Sequence, residues 1–142
     1  MNKLEQAWQI AQTEDVSSAK NSVVLYSISY LDTDKNKQDA LQYVASHEGS
    51  VLLDQTPCGR KLIALGLEND YKIPNEEIME IWKIASARFI SSATGNVTAF
   101  VDNADKRSTF VATELPNILK NQKIDKINGV DKQIFAKKFN IF

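Results

Sequence analysis

EEIMEIWKIASARFISSATGNVTAFVD, residues 76–102, is the strongest structural pattern in the sequence. Pro74 and Asn75 supply a helix start, and two glutamates follow where the positive end of the helix dipole favours them. One face then carries apolar side chains at helical spacing, namely Ile78, Ile81, Trp82, Ala85, Phe89 and Ala93. Gly95 follows the last turn, and NVTAFVD (96–102) has the composition of a strand. The pattern therefore predicts a helix over 76–94 that leads directly into a strand.

Strand composition recurs downstream of this helix. STFVATEL (108–115) and KIDKING (123–129) are rich in β-branched and apolar residues, and short polar or helical connectors separate them. Helices first and strands afterwards are typical of an α/β fold with α+β character. We expect an N-terminal helical lobe packed beside a small, mostly parallel β-sheet.

The N-terminal third is mainly helical in pattern. Leu4, Ala7, Trp8 and Ala11 share one face of an opening helix that should end near Val16. SVVLYSISYL (22–31) fits either a strand or a buried segment, because periodicity alone does not separate the two. The polar stretch DTDKNKQD (32–39) indicates a surface insertion, followed by a short helix that closes at Gly49.

Length and composition limit the classes of protein that fit. A chain of 142 residues has the usual size of one domain, so we expect a single domain over 1–142. Seventeen basic and eighteen acidic residues leave no positive excess for nucleic-acid binding. Cys58 is the only cysteine and His47 the only histidine, so we expect no internal disulfide and no metal site built on these residue types. The sequence lacks a membrane-spanning apolar run and a signal-peptide core, which predicts a soluble chain without membrane insertion.

Residues 81–119 carry an ordered series of motifs. A helix with W-K-x-x-S-x-x-F precedes an apolar strand and then S-T-F-x-x-x-E, here Trp82, Lys83, Ser86 and Phe89, then Ser108, Thr109, Phe110 and Glu114. This series resembles the catalytic half of ADP-ribosyl cyclases and NAD glycohydrolases. Upstream, LLDQTPCG (52–59) is similar to the family's acidic-T-x-x-G segment, with Asp54 where members usually have glutamate. VLYS (24–27) puts Tyr26 where the family has an active-site tryptophan.

The resemblance implies an ADP-ribosyl cyclase-like fold that cleaves the nicotinamide–ribose bond of NAD or NADP. Positive charge develops on the ribose C1′ as neutral nicotinamide leaves, so a carboxylate must lie beneath that carbon and no general acid is needed. The resemblance gives this role to Glu114 and makes Asp54 a second carboxylate, which contacts the nicotinamide carboxamide. Trp82 would stack on the cationic ring. These three residues are the expected catalytic set, with no cofactor and no metal.

Four further residues are expected to bind substrate: Tyr26, Ser86, Thr109 and Phe110. Ser86 lies one helical turn from Trp82, so its hydroxyl would reach a phosphate or a ribose beside the stacked ring. Tyr26 would form the opposite wall of the pocket, and Thr109 and Phe110 would contact the diphosphate and ribose. By residue type alone, Trp82, Tyr26 and Phe110 also fit the apolar core, and Glu114 also fits a solvated strand end.

The low cysteine count differs from the disulfide-rich vertebrate members. In this respect the sequence resembles a bacterial branch of the superfamily, which includes toxin domains of contact-dependent inhibition and polymorphic toxin proteins. This branch implies delivery, as part of a larger secreted or surface protein, from a producer cell into the target-cell cytoplasm. It also implies a cognate immunity protein as partner. Two alternatives are a small RNA-cleaving toxin, which a lone histidine and balanced charge disfavour, and a non-catalytic binding module of the same fold.

Overall fold

The computed structural model describes residues 1–27, 34–102, 104, 108 and 110–139. Helices and strands alternate irregularly along the chain. In order, they are α1 (Lys3–Thr13), β1 (Val24–Tyr26), α2 (Lys35–Ser46), a 3₁₀ turn (Leu53–Gln55), α3 (Pro57–Leu65), a second 3₁₀ turn (Leu67–Asn69), α4 (Asn75–Ser91), β2 (Gly95–Phe100), a π turn (Phe110–Glu114), α5 (Leu115–Lys120), β3 (Ile124–Ile127), β4 (Val130–Asp131) and α6 (Lys132–Lys137).

The strands form one sheet in the order β1-β2-β3-β4. β1, β2 and β3 run parallel, and β4 turns back antiparallel to β3. In β2 the buried and half-buried positions alternate, with Val97 and Ala99 in the main core. Phe100 instead packs against Tyr43 of α2. The predicted architecture, helices beside a small and mostly parallel sheet, is confirmed.

The N-terminal helical lobe is packed against α4 and hydrogen-bonded to it. Ala7 and Ala11 are fully buried in the core that α1 shares with α3 and α4, and such small side chains allow close approach of helices. The guanidinium of Arg88 on α4 donates to the carbonyls of Ala11, at 2.7 Å, and Glu14, at 2.8 Å. These bonds satisfy carbonyl groups that the end of α1 would otherwise leave unpaired. α4 is thereby fixed against the N-terminal lobe.

Most predicted elements are present, with shifted ends. The helix predicted over 76–94 is α4, and the strands predicted at 96–102 and 123–129 correspond to β2 and β3. The opening helix stops at Thr13 rather than near Val16.

Two further segments were predicted only loosely. The segment 22–31 contains β1, and its last residues, 28–31, lie outside the described residues. α2 begins at Lys35, inside the stretch expected to be a surface insertion. No helix of the described residues is both long enough and apolar enough to cross a membrane.

The strand predicted over 108–115 is wrong. Residues 110–114 form a π turn that continues into α5, so Glu114 lies at a helical junction and not at a strand end or sheet edge. The buried positions in this region are Phe110, Val111, Glu114, Leu115 and Ile118. Their spacing of one, three and four is helical, and packing of this face against α4 outweighs the strand preference of the β-branched residues.

Candidate active site

A cavity of about 350 Å³ opens where β1 ends. The carboxyl ends of parallel strands are a common place for ligand sites, and this volume lies within the range of small-molecule pockets. The lining residues come from β1, the first 3₁₀ turn, α4 and the π turn: Val24, Leu25, Tyr26, Ser27, Leu52, Leu53, Asp54, Trp82, Ser86, Ser108, Phe110 and Glu114.

The structure brings together most of the site residues predicted from the sequence. Those that line the cavity are Tyr26, Asp54, Trp82, Ser86, Phe110 and Glu114. Thr109 lies outside the described residues. Elements from four separate parts of the sequence therefore meet at one cavity, although the role of each side chain stays a prediction.

Helix α4 contributes Trp82 and Ser86, one turn apart. Ser86 is only 4% exposed and is surrounded by the apolar face of the helix. Trp82 is half-buried, and it both lines the cavity and packs against the main core. The helical spacing thus places a hydroxyl directly beside an aromatic ring at the cavity wall.

Glu114 is a buried carboxylate, 8% exposed, that also lines the cavity. Its Oε2 accepts a hydrogen bond of 2.5 Å from the Ser86 hydroxyl. Burial raises the pKa of Glu114 to about 7, and the Ser86 hydrogen bond opposes this rise. Within the described residues no lysine or arginine forms an ion pair with Glu114. A buried carboxyl group without a cationic partner favours a ligand that brings positive charge.

A tight turn positions Asp54. Gly59 of α3 packs so closely on this turn that a Cβ at its position would collide with the Leu53 carbonyl and lie 2.8 Å from the Asp54 Cα. The Thr56 hydroxyl accepts from the Gly59 amide at 3.1 Å and donates to the Leu53 carbonyl at 2.7 Å. Threonine and glycine at this T-x-x-G spacing therefore lock the backbone that carries Asp54.

Tyr26 and Asp54 add polar groups to a largely apolar cavity. Burial raises the pKa of Asp54, and the charge of Lys37 lowers it. Burial, then the negative charges of Asp54 and Glu114, raise the pKa of Tyr26 to about 12. The phenol of Tyr26 is therefore a neutral hydrogen-bond donor near neutral pH, close to both carboxyl groups.

Two polar lining residues were not among the predicted site residues. Ser27 immediately follows β1, and a polar residue at the carboxyl end of a parallel strand would have been a usable signal. Ser108 belongs to the S-T-F motif, and its hydroxyl and carbonyl accept from the amides of Val111, at 3.3 Å, and Ala112, at 2.8 Å. Ser108 therefore starts the turn that carries Glu114.

Metal ligands do not cluster in the part of the chain that the structure describes. No three histidine, cysteine, aspartate or glutamate side chains there are placed to hold a metal ion.

Solved structures with a similar fold include ADP-ribosyl cyclases and CD38. A complex of Aplysia cyclase with the substrate NGD and the product cGDPR has a TM-score of 0.57 and 23% identity, covering 77% of this chain and 48% of that chain. A glutamate-to-alanine mutant of ADP-ribosyl cyclase has a TM-score of 0.57 and 18% identity, covering 96% and 72%. Porcine CD38 with a covalent intermediate has a TM-score of 0.55 and 18% identity, covering 98% and 81%.

These similarities lie in structure more than in sequence. No protein-family model matches the sequence, and no curated protein matches it. The chain spans about half the length of the Aplysia cyclase. The polypeptide nevertheless has the ADP-ribosyl cyclase fold, as the motifs of residues 81–119 predicted.

Proposed function

We propose that this chain hydrolyses NAD or NADP at the nicotinamide–ribose bond, releasing nicotinamide and ADP-ribose or its phosphate. The observation that carries the proposal is Glu114, a buried carboxyl group that lines the same cavity as Trp82 and accepts a hydrogen bond from the Ser86 hydroxyl. NAD presents a cationic ring bonded to a ribose carbon that becomes more positive as the bond breaks. The fold shared with cyclases that process such dinucleotides supports the same substrate class.

The reaction needs little from the protein besides charge and position. The C1′–N bond breaks with its electron pair going to the nicotinamide ring, which leaves as a neutral molecule. The ribose carbon becomes an oxocarbenium ion, and ionised Glu114 stabilises it electrostatically. Water then adds to C1′ and releases a proton. No step calls for a cofactor or a redox partner.

Ground-state recognition falls to the other cavity residues. Trp82 offers an aromatic face for the pyridinium, worth roughly 0.5–2 kcal/mol as a cation–π contact. Asp54 would accept from the carboxamide N–H₂ group, and the Tyr26 hydroxyl, which lines the same cavity, would donate to its carbonyl. Phe110 is fully buried, so it acts mainly by shaping the cavity floor.

Nicotinamide release from NAD and from NADP by purified protein tests the activity. Glu114→Gln protein, shown to be folded, serves as the matched control, and transfer RNA and total RNA serve as parallel substrates. Glu114-dependent nicotinamide release supports the proposal. RNA cleavage without nicotinamide release would favour the RNA-cleaving alternative. If the protein catalyses neither reaction, a non-catalytic binding module is favoured.

We also propose that the activity serves a bacterial toxin that depletes NAD in a target cell. Cys58 is buried and is the only cysteine, so the fold does not depend on disulfides and is compatible with a reducing cytoplasm. Induced expression in a bacterial cytoplasm should lower NAD and stop growth, whereas Glu114→Gln protein should do neither. Rescue by a neighbouring gene product that binds the chain would identify the immunity protein.

A further inference from the structure

The cavity lies at the carboxyl end of β1, beside β2. Within the described ranges 1–27 and 34–102, the final hydrogen bond along this pair of strands runs from the Ser27 amide to the Phe100 carbonyl, at 3.0 Å. Ser27 lines the cavity, and the chain beyond Asp102 leads to Ser108 and Phe110, which also line it. The geometry at the carboxyl end of β1 therefore sets the position of the cavity wall that contains Ser27.

One side chain bridges the two strand ends. Asn36, on the first turn of α2, is 1% exposed. Its Nδ2 donates to the Ser27 carbonyl at 2.8 Å and to the Asp102 carbonyl at 2.9 Å. The neighbouring Lys35 contacts the Asp102 carboxylate at 3.3 Å. The first turn of α2 thus holds both the backbone and the side chain of Asp102.

We propose that Asn36 is a positioning residue for the active site, which fixes the cavity by joining the carboxyl ends of β1 and β2. Its catalytic consequence rests on the proposed function, whereas its effect on the cavity does not. A primary amide carries two hydrogens on one nitrogen, and here each hydrogen is used by a different strand. Aspartate has the same shape but lacks these donors, and an apolar residue would remove both hydrogen bonds to the strand ends.

Asn121 provides a matched control. Its Nδ2 likewise donates to backbone carbonyls, those of Ile90 at 2.8 Å, Ala93 at 3.0 Å and Ser91 at 3.4 Å. These carbonyls lie at and just after the C-terminal end of α4, and neither Asn121 nor these three residues line the cavity. Asn36→Ala and Asn121→Ala should therefore lose comparable stability, while only the first should alter the cavity.

The test is a titration of the Glu114 carboxyl by ¹³C NMR in folded wild-type, Asn36→Ala and Asn121→Ala proteins, together with KM for NAD. Loosened strand ends admit water, so the Glu114 pKa in Asn36→Ala should fall by about one unit or more towards its ordinary value. KM should rise about tenfold or more, with a smaller change in kcat. Asn121→Ala should match the wild type in both measurements.

Equal Glu114 titration and equal KM in all three proteins would overturn the proposal and leave Asn36 a structural residue. If Asn36→Ala does not fold, Asn36→Ser takes its place, since serine keeps one donor. The Glu114 pKa in Asn36→Ser should fall by a smaller amount, and an unchanged Glu114 pKa would overturn the proposal. The NMR titration requires no activity. It therefore distinguishes failure of this proposal from failure of the proposed glycohydrolase function.

Discussion

The hydroxyl of Ser86 donates to the Glu114 carboxylate across 2.5 Å, joining α4 to the π turn inside the cavity. Two influences act on this carboxyl group in opposite directions. Burial favours the neutral acid, whereas the hydrogen bond from Ser86 favours the anion. Burial prevails, and the group titrates at about 7 instead of 4.5. The protonation of Glu114 should therefore control activity near neutral pH.

We expect kcat/KM for NAD to rise with pH and to reach half its plateau near pH 7, because ionised Glu114 is the competent form. The limb in kcat should lie at lower pH, since the bound pyridinium stabilises the anion. Ser86→Ala removes a hydrogen bond that lowers the pKa, so it should move the kcat/KM limb to higher pH. pH profiles of both proteins check this, and an unmoved limb would contradict it.

The free energy of unfolding should fall as the pH rises, whereas kcat/KM should rise. Because the folded pKa of Glu114 lies above its ordinary value of 4.5, the protonated group contributes stability that is complete below about pH 4.5 and is lost as the pH rises through about 7. The shift corresponds to roughly 3 kcal/mol at most. Glu114→Gln avoids this loss, so its Tm relative to wild type should be higher at pH 8 than at pH 5. Thermal unfolding at both pH values checks the difference, and a constant difference would argue against a raised pKa.

Trp82→Ala should raise KM for NAD by about two- to thirtyfold, the range set by a cation–π contact, with a smaller effect on kcat. Trp8→Ala is the matched control, because Trp8 packs against the main core outside the cavity lining and its indole contacts Glu77. It should lose stability without a change in KM. Wild-type KM in folded Trp82→Ala protein would make Trp82 a core residue only.

Asp54→Asn should raise KM more than it lowers kcat, because Asp54 is assigned to the carboxamide and not to C1′. Loss of the Asp54 charge should also lower the pKa of the Tyr26 phenol, which that charge raises. Steady-state kinetics and an ultraviolet titration of tyrosine measure the two effects. A kcat loss larger than that of Glu114→Gln would make Asp54 the principal carboxylate.

The fold and the meeting of the site residues followed from spacing and motif order. The helical period of Ile78, Ile81 and Ala85 gave α4, and the position of Ser86 on that same face placed its hydroxyl towards the cavity. The T-x-x-G segment pointed to a residue that lines the cavity, Asp54, because its threonine and glycine serve backbone geometry, which short motifs encode well. The role of Asp54 stays a prediction.

The π turn was missed because residue composition was weighed above spacing. Phe110, Val111 and Thr113 favour strands individually, yet Phe110, Glu114 and Ile118 recur at intervals of four, and Pro116 suits a first helical turn. Contacts between residues far apart in the sequence could not be predicted, because no local pattern encodes them. The bridge from Asn36 to Asp102 spans 66 positions, and the burial that raises the Glu114 pKa depends on several distant elements.

The most direct test of the central claim compares kcat for nicotinamide release from NAD by wild-type and Glu114→Gln proteins at about pH 8, where wild-type Glu114 is mostly ionised. Glutamine keeps the size of the side chain and removes its charge, so ground-state binding should persist while stabilisation of the oxocarbenium ion is lost. The account predicts that kcat falls by about 10²-fold or more with a smaller change in KM. A folded Glu114→Gln protein that retains more than about a tenth of wild-type kcat would contradict it.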